Sequence, residues 1–115
     1  INNGGVMLVN TKDIGGVVVK DNDTYTLKDN TTLNNLVVSS TKLYKKQSTN
    51  GHSHPGQEEV YHFITGWGKM DLDDETFDVR AGDIVLIPDG AFHRVHAARD
   101  TGIYFVCVFD GKRSH

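Results

Sequence analysis

Apolar and β-branched residues come along this chain in short runs, broken every few positions by Asp, Asn, Gly or Pro, and no window sustains a helical period. The runs predict strands over Val6–Val9, Gly16–Lys20, Thr24–Leu27, Asn35–Lys45, Gly51–His54, Glu59–Thr65, Lys69–Leu72, Thr76–Val79, Asp83–Ile87, His93–Ala97 and Ile103–Phe109. Turns are expected at Asp21-Asn22-Asp23, Asp29-Asn30, Asp73-Asp74, Ala81-Gly82, Pro88-Asp89-Gly90 and Asp100-Thr101-Gly102. Many short strands with no helix to cover a parallel sheet imply an all-β sandwich or barrel. Neither a linker nor an internal repeat interrupts the pattern.

Two stretches stand out from this background. Gly51-His52-Ser53-His54-Pro55-Gly56-Gln57-Glu58-Glu59 holds two histidines and two carboxylates, and Phe92-His93 adds a third histidine after a tight-turn signal. On a strand, His52 and His54 would leave the same face, as two cis ligands of one ion require. Adjacent strand residues point oppositely, so only one of Glu58 and Glu59 can join them.

With x for any residue, His-x-His-x4-Glu-x6-Gly runs from His52 to Gly66, and Gly-x5-Pro-x-Gly-x2-His runs from Gly82 to His93. These spacings resemble the two motifs of the cupin family. The 15 residues between Gly66 and Gly82 resemble the inter-motif spacing of small microbial cupins. The resemblance covers residues 46–97 closely and the rest by strand pattern. It departs from the motifs at two positions that are not ligands, Lys46 in place of a leading glycine and Ala97 in place of a closing polar residue.

The resemblance implies a single domain over residues 1–112, folded as a double-stranded β-helix, or jelly-roll barrel, with a metal inside. Its ligands would be His52, His54, Glu59 and His93, with Glu58 excluded by the spacing to Gly66. Three imidazoles and one carboxylate suit a divalent transition metal (iron, manganese, nickel, cobalt or zinc) better than calcium or magnesium, which prefer oxygen. Four ligands on an octahedral ion leave two cis positions for water or substrate.

Alternation sorts the neighbours. Inward Glu59 carries Tyr61 and Phe63 with it, leaving Val60, His62 and Ile64 outside; inward His93 carries Val95 and Ala97, leaving Arg94 and His96 outside. Tyr61 therefore either fills the barrel or meets a metal-bound substrate as a proton donor or acceptor. Val60 and Ile64 would form an apolar outer stripe, which predicts a homodimer through that face. Trp67, between two glycines, would cap the pocket or join the dimer contact.

Cupins of this size are described as mannose-6-phosphate isomerase-like, a label that spans isomerases, epimerases, dioxygenases, lyases and sugar-binding modules; fold alone does not settle activity. The implied function is a metal-dependent enzyme acting on a small oxygen-rich substrate, a sugar derivative or carboxylate. The reaction would be isomerase- or lyase-type proton chemistry with Tyr61 or Glu59 moving protons, or a dioxygenase reaction. The alternative is a non-catalytic metal- or carbohydrate-binding or sensor cupin. A sugar phosphate would need an inward cation, and neither motif strand supplies one; Lys42, Lys45, Lys46 and Arg80 lie on other segments.

Composition narrows the rest. At 115 residues, 37% hydrophobic and 23% charged, the chain is long enough to bury a core without staples. A formal charge of −3 with no long basic cluster argues against nucleic acid. The longest apolar run, Ile103 to Phe109, is seven residues, against roughly 20 for a membrane helix. The single cysteine, Cys107, is expected as a buried small hydrophobe. With no leader pattern, a cytoplasmic location is expected. Arg113-Ser114-His115 reads as a vector-derived tag remnant, so His115 is set aside.

Overall fold

The computed structural model describes residues 7–111. Eight antiparallel strands are present among them: β1 (Val17–Asp21), β2 (Tyr25–Asn30), β3 (Leu36–Leu43), β4 (Glu59–Leu72), β5 (Glu75–Arg80), β6 (Ile84–Ile87), β7 (His93–Ala97) and β8 (Ile103–Asp110). Among the described residues no helix is long and apolar enough to cross a membrane.

The 14-residue β4 belongs to both sheets of the sandwich. Its first half lies between β8 and β6, with Glu59 opposite Phe109 and Ile87, in a sheet that continues through β3 and β2 to β1. Its second half pairs with β5 and β7, with Met70 opposite Phe77 and Val95. The core fills the space between the sheets: Phe63, Phe105, Leu43 and Ile103 from one side meet Met70, Val95 and Val79 from the other, all buried. This is the all-β double-stranded β-helix expected above. Cys107 is part of that core.

Two strands predicted around Gly66-Trp67-Gly68 are thus one. The glycines read as a break, but here they let a single strand bend from one sheet into the next. A bulge lies between Phe63 and Thr65, and Gly66 follows with φ of 82°. A Cβ on Gly66 would stand 2.0 Å from the Gly102 carbonyl oxygen.

Other boundaries also moved. Asp29 and Asn30, expected as a turn, are the end of β2, paired with Ser39 and Val38. Their polar side chains are accommodated: Asn30 Nδ2 donates to the Ile14 carbonyl at 2.7 Å, and its Oδ1 accepts from Thr32. Gly51–His54 is not a strand; only His52 forms a bridge, opposite His93. Gly51 has φ of 83°, which ends the extended alternation there. Met7–Val9 is exposed and outside any strand, while Val6 and residues 113–115 lie outside the described residues.

The bend in β4 generates a stability prediction. Gly66→Ala should cost about 3 kcal/mol or more, because a left-handed backbone and a backbone collision act together. Equilibrium denaturant unfolding checks it, and a cost below about 1 kcal/mol would show that the bend relaxes freely.

Candidate metal centre

The centre is assembled where the two histidine stretches meet. His52 N–H donates to the His93 carbonyl at 3.0 Å and His93 N–H donates to the His52 carbonyl at 2.9 Å. Two turns flank this bridge: Gln57 N–H donates to the His54 carbonyl, and Ala91 N–H donates to the Pro88 carbonyl. Gly56 N–H donates to Asp89 Oδ1 at 2.7 Å and ties the turns together. A pair that is remote in sequence is thereby locked side by side.

His54, Glu59 and His93 are all buried, and one ligand atom from each lies within 4.8 Å of the others. Glu59 Oε1 is 3.2 Å from His93 Nε2 and 3.8 Å from His54 Nε2. His93 Nδ1 is 3.0 Å from the Ala91 carbonyl, to which it donates, so that Nε2 is the nitrogen aimed at Glu59. His52 lines the same cavity, half-buried, with its ring stacked on His54 at a centroid distance of 5.4 Å. It stands outside the three-residue cluster. The shared strand face expected for His52 and His54 is not what joins them; the bridge to His93 and the turn after His54 do so. Glu58 is exposed and outside the cluster.

Electrostatics separate the histidines. Burial alone would lower the basicity of His93, but the Glu59 carboxylate and the Ala91 carbonyl outweigh it and raise the pKa above the ordinary value. His52 is shifted the other way, mainly by burial, with the charges of His54, His93 and Lys20 adding to the effect. Two imidazoles converging on a buried carboxylate fit a divalent transition ion.

The cavity over these ligands measures about 50 Å³. Thr41, Thr49, Tyr25 and Tyr61 bring hydroxyl-bearing side chains to its wall, and Leu27 and Phe105 supply apolar surface. Tyr61 shares the wall with Glu59, as alternation predicts, and is also packed: its ring stacks on Phe105 at 4.9 Å and meets His93 edge-on at 5.6 Å.

Lys46, standing where the motif has glycine, has φ of 69°, the left-handed conformation glycine adopts without strain. His96, placed outside by alternation, is held rather than free: its Nδ1 is 2.7 Å from Ser48 Oγ and its Nε2 2.7 Å from Asp71 Oδ2. That contact first, and the Thr76 hydroxyl second, hold the Asp71 carboxyl below its usual range. The trio pins the segment before His52 to β7 and β4.

Trp67 does not line the ligand cavity. It is half exposed beside a separate open cleft with Asp78 and Arg80. None of the cations considered from sequence lines the ligand cavity either; Lys42 and Lys45 flank another cleft beside Tyr104. Lys20 is a cation whose charge contributes to the lowered pKa of His52, and nothing in the local sequence marks it.

Comparison with known proteins agrees with this geometry. The family model described as Cupin domain (Cupin_2) matches residues 41–109. The Oxalate-binding protein of Thermotoga maritima is 27% identical over 67 residues, covering 58% of this chain and 55% of that protein. The chain spans about half the length of the curated relatives it matches. A cupin protein of Bacteroides fragilis superposes with a TM-score of 0.65 at 30% identity, over 72% of this chain and 71% of that one. KdgF from Halomonas sp. superposes with a TM-score of 0.78 over 96% of both chains, at 15% identity, a likeness of fold. With the family model spanning both histidine stretches and all of the buried cluster between them, the chain belongs to the cupin family.

Proposed function

We propose that this cupin binds one divalent transition metal through His54, Glu59 and His93, with His52 as the fourth ligand, and uses it as an enzyme on a small oxygen-rich molecule. The observation that carries the reading is the buried His–Glu–His cluster opening into a cavity of about 50 Å³. A buried carboxylate and two imidazoles so close together are costly to leave without a cation, and the cavity gives a ligand access to one side of them.

When bound, the metal would act as a Lewis acid on substrate oxygen. The protein's own contribution begins with the hydrogen bond from His93 Nδ1 to Ala91, which fixes the ring orientation. Leu27 and Phe105 exclude water from one side. Tyr61, held by stacking on Phe105, lines the cavity, and its hydroxyl would donate or accept the proton in isomerase- or lyase-type chemistry. Glu59 could move a proton only by releasing the ion. The small cavity favours a compact carboxylate or hydroxy acid over a whole sugar.

A second reading, a non-catalytic binder of a small carboxylate, is favoured by one comparison, the likeness to the Thermotoga maritima Oxalate-binding protein. Metal analysis of untagged protein, followed by turnover assays in air and under nitrogen, separates the readings. Oxygen-dependent turnover marks a dioxygenase, oxygen-independent turnover an isomerase or lyase, and binding without turnover a binder.

The reading extends to assembly. Val60 lies in register between Val108 and Leu86, and His62 between Val106 and Ile84, which makes an apolar row across the outer face of β8, β4 and β6. Ile64, expected on that row, falls in the bulge, while Ile84 and Leu86 of β6 are well exposed. Such a face on so small a barrel suits a second copy of the chain.

Four outcomes test these statements. His93→Ala and Glu59→Gln should each lose most of the bound metal, measured by elemental analysis; full stoichiometric metal in His93→Ala would overturn the site. Because the Glu59 carboxylate and the Ala91 carbonyl raise the pKa of His93 above its ordinary value, a proton competes with the metal for this ring up to a higher pH than on a free imidazole. That proton's contribution to stability is complete below the unfolded value and disappears as pH rises through the raised folded value. Metal affinity, read by competition with a chromophoric chelator, should accordingly rise with pH through this window.

Tyr61→Phe should keep metal and fold while any turnover falls about a hundredfold. Unchanged turnover would return Tyr61 to packing alone. Leu86→Glu should give a folded monomer in light scattering, whereas a monomeric unmodified protein at micromolar concentration would remove the dimer.

A further inference from the structure

The cavity over the ligand cluster is lined by hydroxyl, imidazole, carboxylate and apolar groups, with no cation among them. Its size, about 50 Å³, accommodates only a few non-hydrogen atoms, since roughly 10–15 Å³ of such space holds one water. A ligand larger than a simple chelating group must therefore extend beyond the cavity.

The nearest edge of the sheet is shaped by an irregularity. Between β1 and β2, Val17 opposes Asp29 and Val18 opposes Lys28, but then Lys20, not Val19, opposes Leu27, and Asp21 opposes Thr26. Directly opposed residues of an antiparallel pair share a sheet face. The hydrogen bond from Thr26 Oγ1 to Asp21 Oδ1, 3.1 Å, confirms this for the outer face. Lys20 is consequently on the inner face with Leu27, a wall residue of the cavity. Without the extra residue at Val19, a valine would occupy that position and Lys20 would point away. Bulges beside functional sites commonly re-aim a side chain in this manner.

Two further observations concern the ammonium. Lys20 is close enough for its charge to act on His52. It also makes no ion pair with a carboxylate among the described residues, in contrast to Lys28 with Asp13 at 2.8 Å and Lys69 with Asp78 at 2.7 Å. Lys20 is exposed on an edge strand, so its long side chain keeps the freedom to meet a group leaving the cavity.

The geometry points to Lys20 as the residue that selects a ligand carrying an anionic group, carboxylate or phosphate, at the end remote from its metal-chelating oxygens. This rests on the metal-dependent reading of the site and deepens it by naming the ligand's second feature. It also supplies the cation that the two motif strands lack.

The test uses the full chain loaded with manganese and three probes in calorimetric titrations. D-Glycerate offers chelating oxygens and a neutral distal end, L-malate a distal carboxylate, and 3-phosphoglycerate a distal phosphate. Lys20→Met should bind malate, 3-phosphoglycerate or both about five- to tenfold more weakly than the unmodified protein, the scale of one partly exposed charged contact. Metal content and glycerate affinity should stay within about twofold, since neither uses the ammonium. Lys20→Arg should recover most of the difference, and the difference should shrink at high salt.

The anion that loses affinity identifies the distal group. Equal affinities of the unmodified protein and Lys20→Met for both anions, with metal retained, would overturn the role of Lys20 alone. An equal loss for glycerate would also overturn it, because it would show general damage. A chain that takes up no metal, or that binds none of the three probes when loaded, would overturn the reading of the site and this inference with it.

Discussion

The arrangement depends on one buried carboxylate. Glu59 is 8% exposed at the start of β4, where little of its charge reaches water, and His54 and His93 converge on it. Removing a charge from water costs several kcal/mol, even after relaxation, unless partners surround it. The raised proton affinity of His93 reflects the pull of this carboxylate, and a divalent cation would compensate its charge more fully. The hydroxyl-bearing wall, the small cavity and the two tight turns all act on this centre.

β4 gives the carboxylate its position. Its first half sits between β8 and β6, which fixes Glu59 and Tyr61 on the inner face, and its second half carries Asp71 to the outer face of the other sheet. There Asp71 holds His96, and His96 holds Ser48, four residues before His52. The loop bearing two of the histidines is therefore fastened from outside by the strand that supplies the carboxylate inside. The bend at Gly66 connects these tasks, which is why a methyl group there is expected to be felt far from the bend.

Lys20 and the β6 row show how irregularities of pairing modify a regular frame. A bulge at Val19 sets Lys20 opposite Leu27, a wall residue of the cavity, and the bulge at Ile64 interrupts the outer row that Ile84 and Leu86 then extend. Both features are consequences of pairing register, not of residue type alone.

The sequence by itself determined the all-β class, most of the strands and the inner parity of Glu59, Tyr61, Phe63, His93 and Val95, because period-two alternation reports which face of a sheet is buried. Motif spacing also identified the residues of the buried cluster, since His54, Glu59 and His93 are fixed by local turns that Pro and Gly announce. Only the tertiary structure decided that β4 is continuous through its glycines, that His52 is held by a bridge to His93 and not by a strand of its own, and that His96 is bonded to Ser48 and Asp71. It alone set Lys20 opposite Leu27, a wall residue of the cavity. The reason is common to all four: each depends on hydrogen bonds between segments remote in sequence, and local propensity carries no information about which remote partner sets the register or where a bulge shifts it.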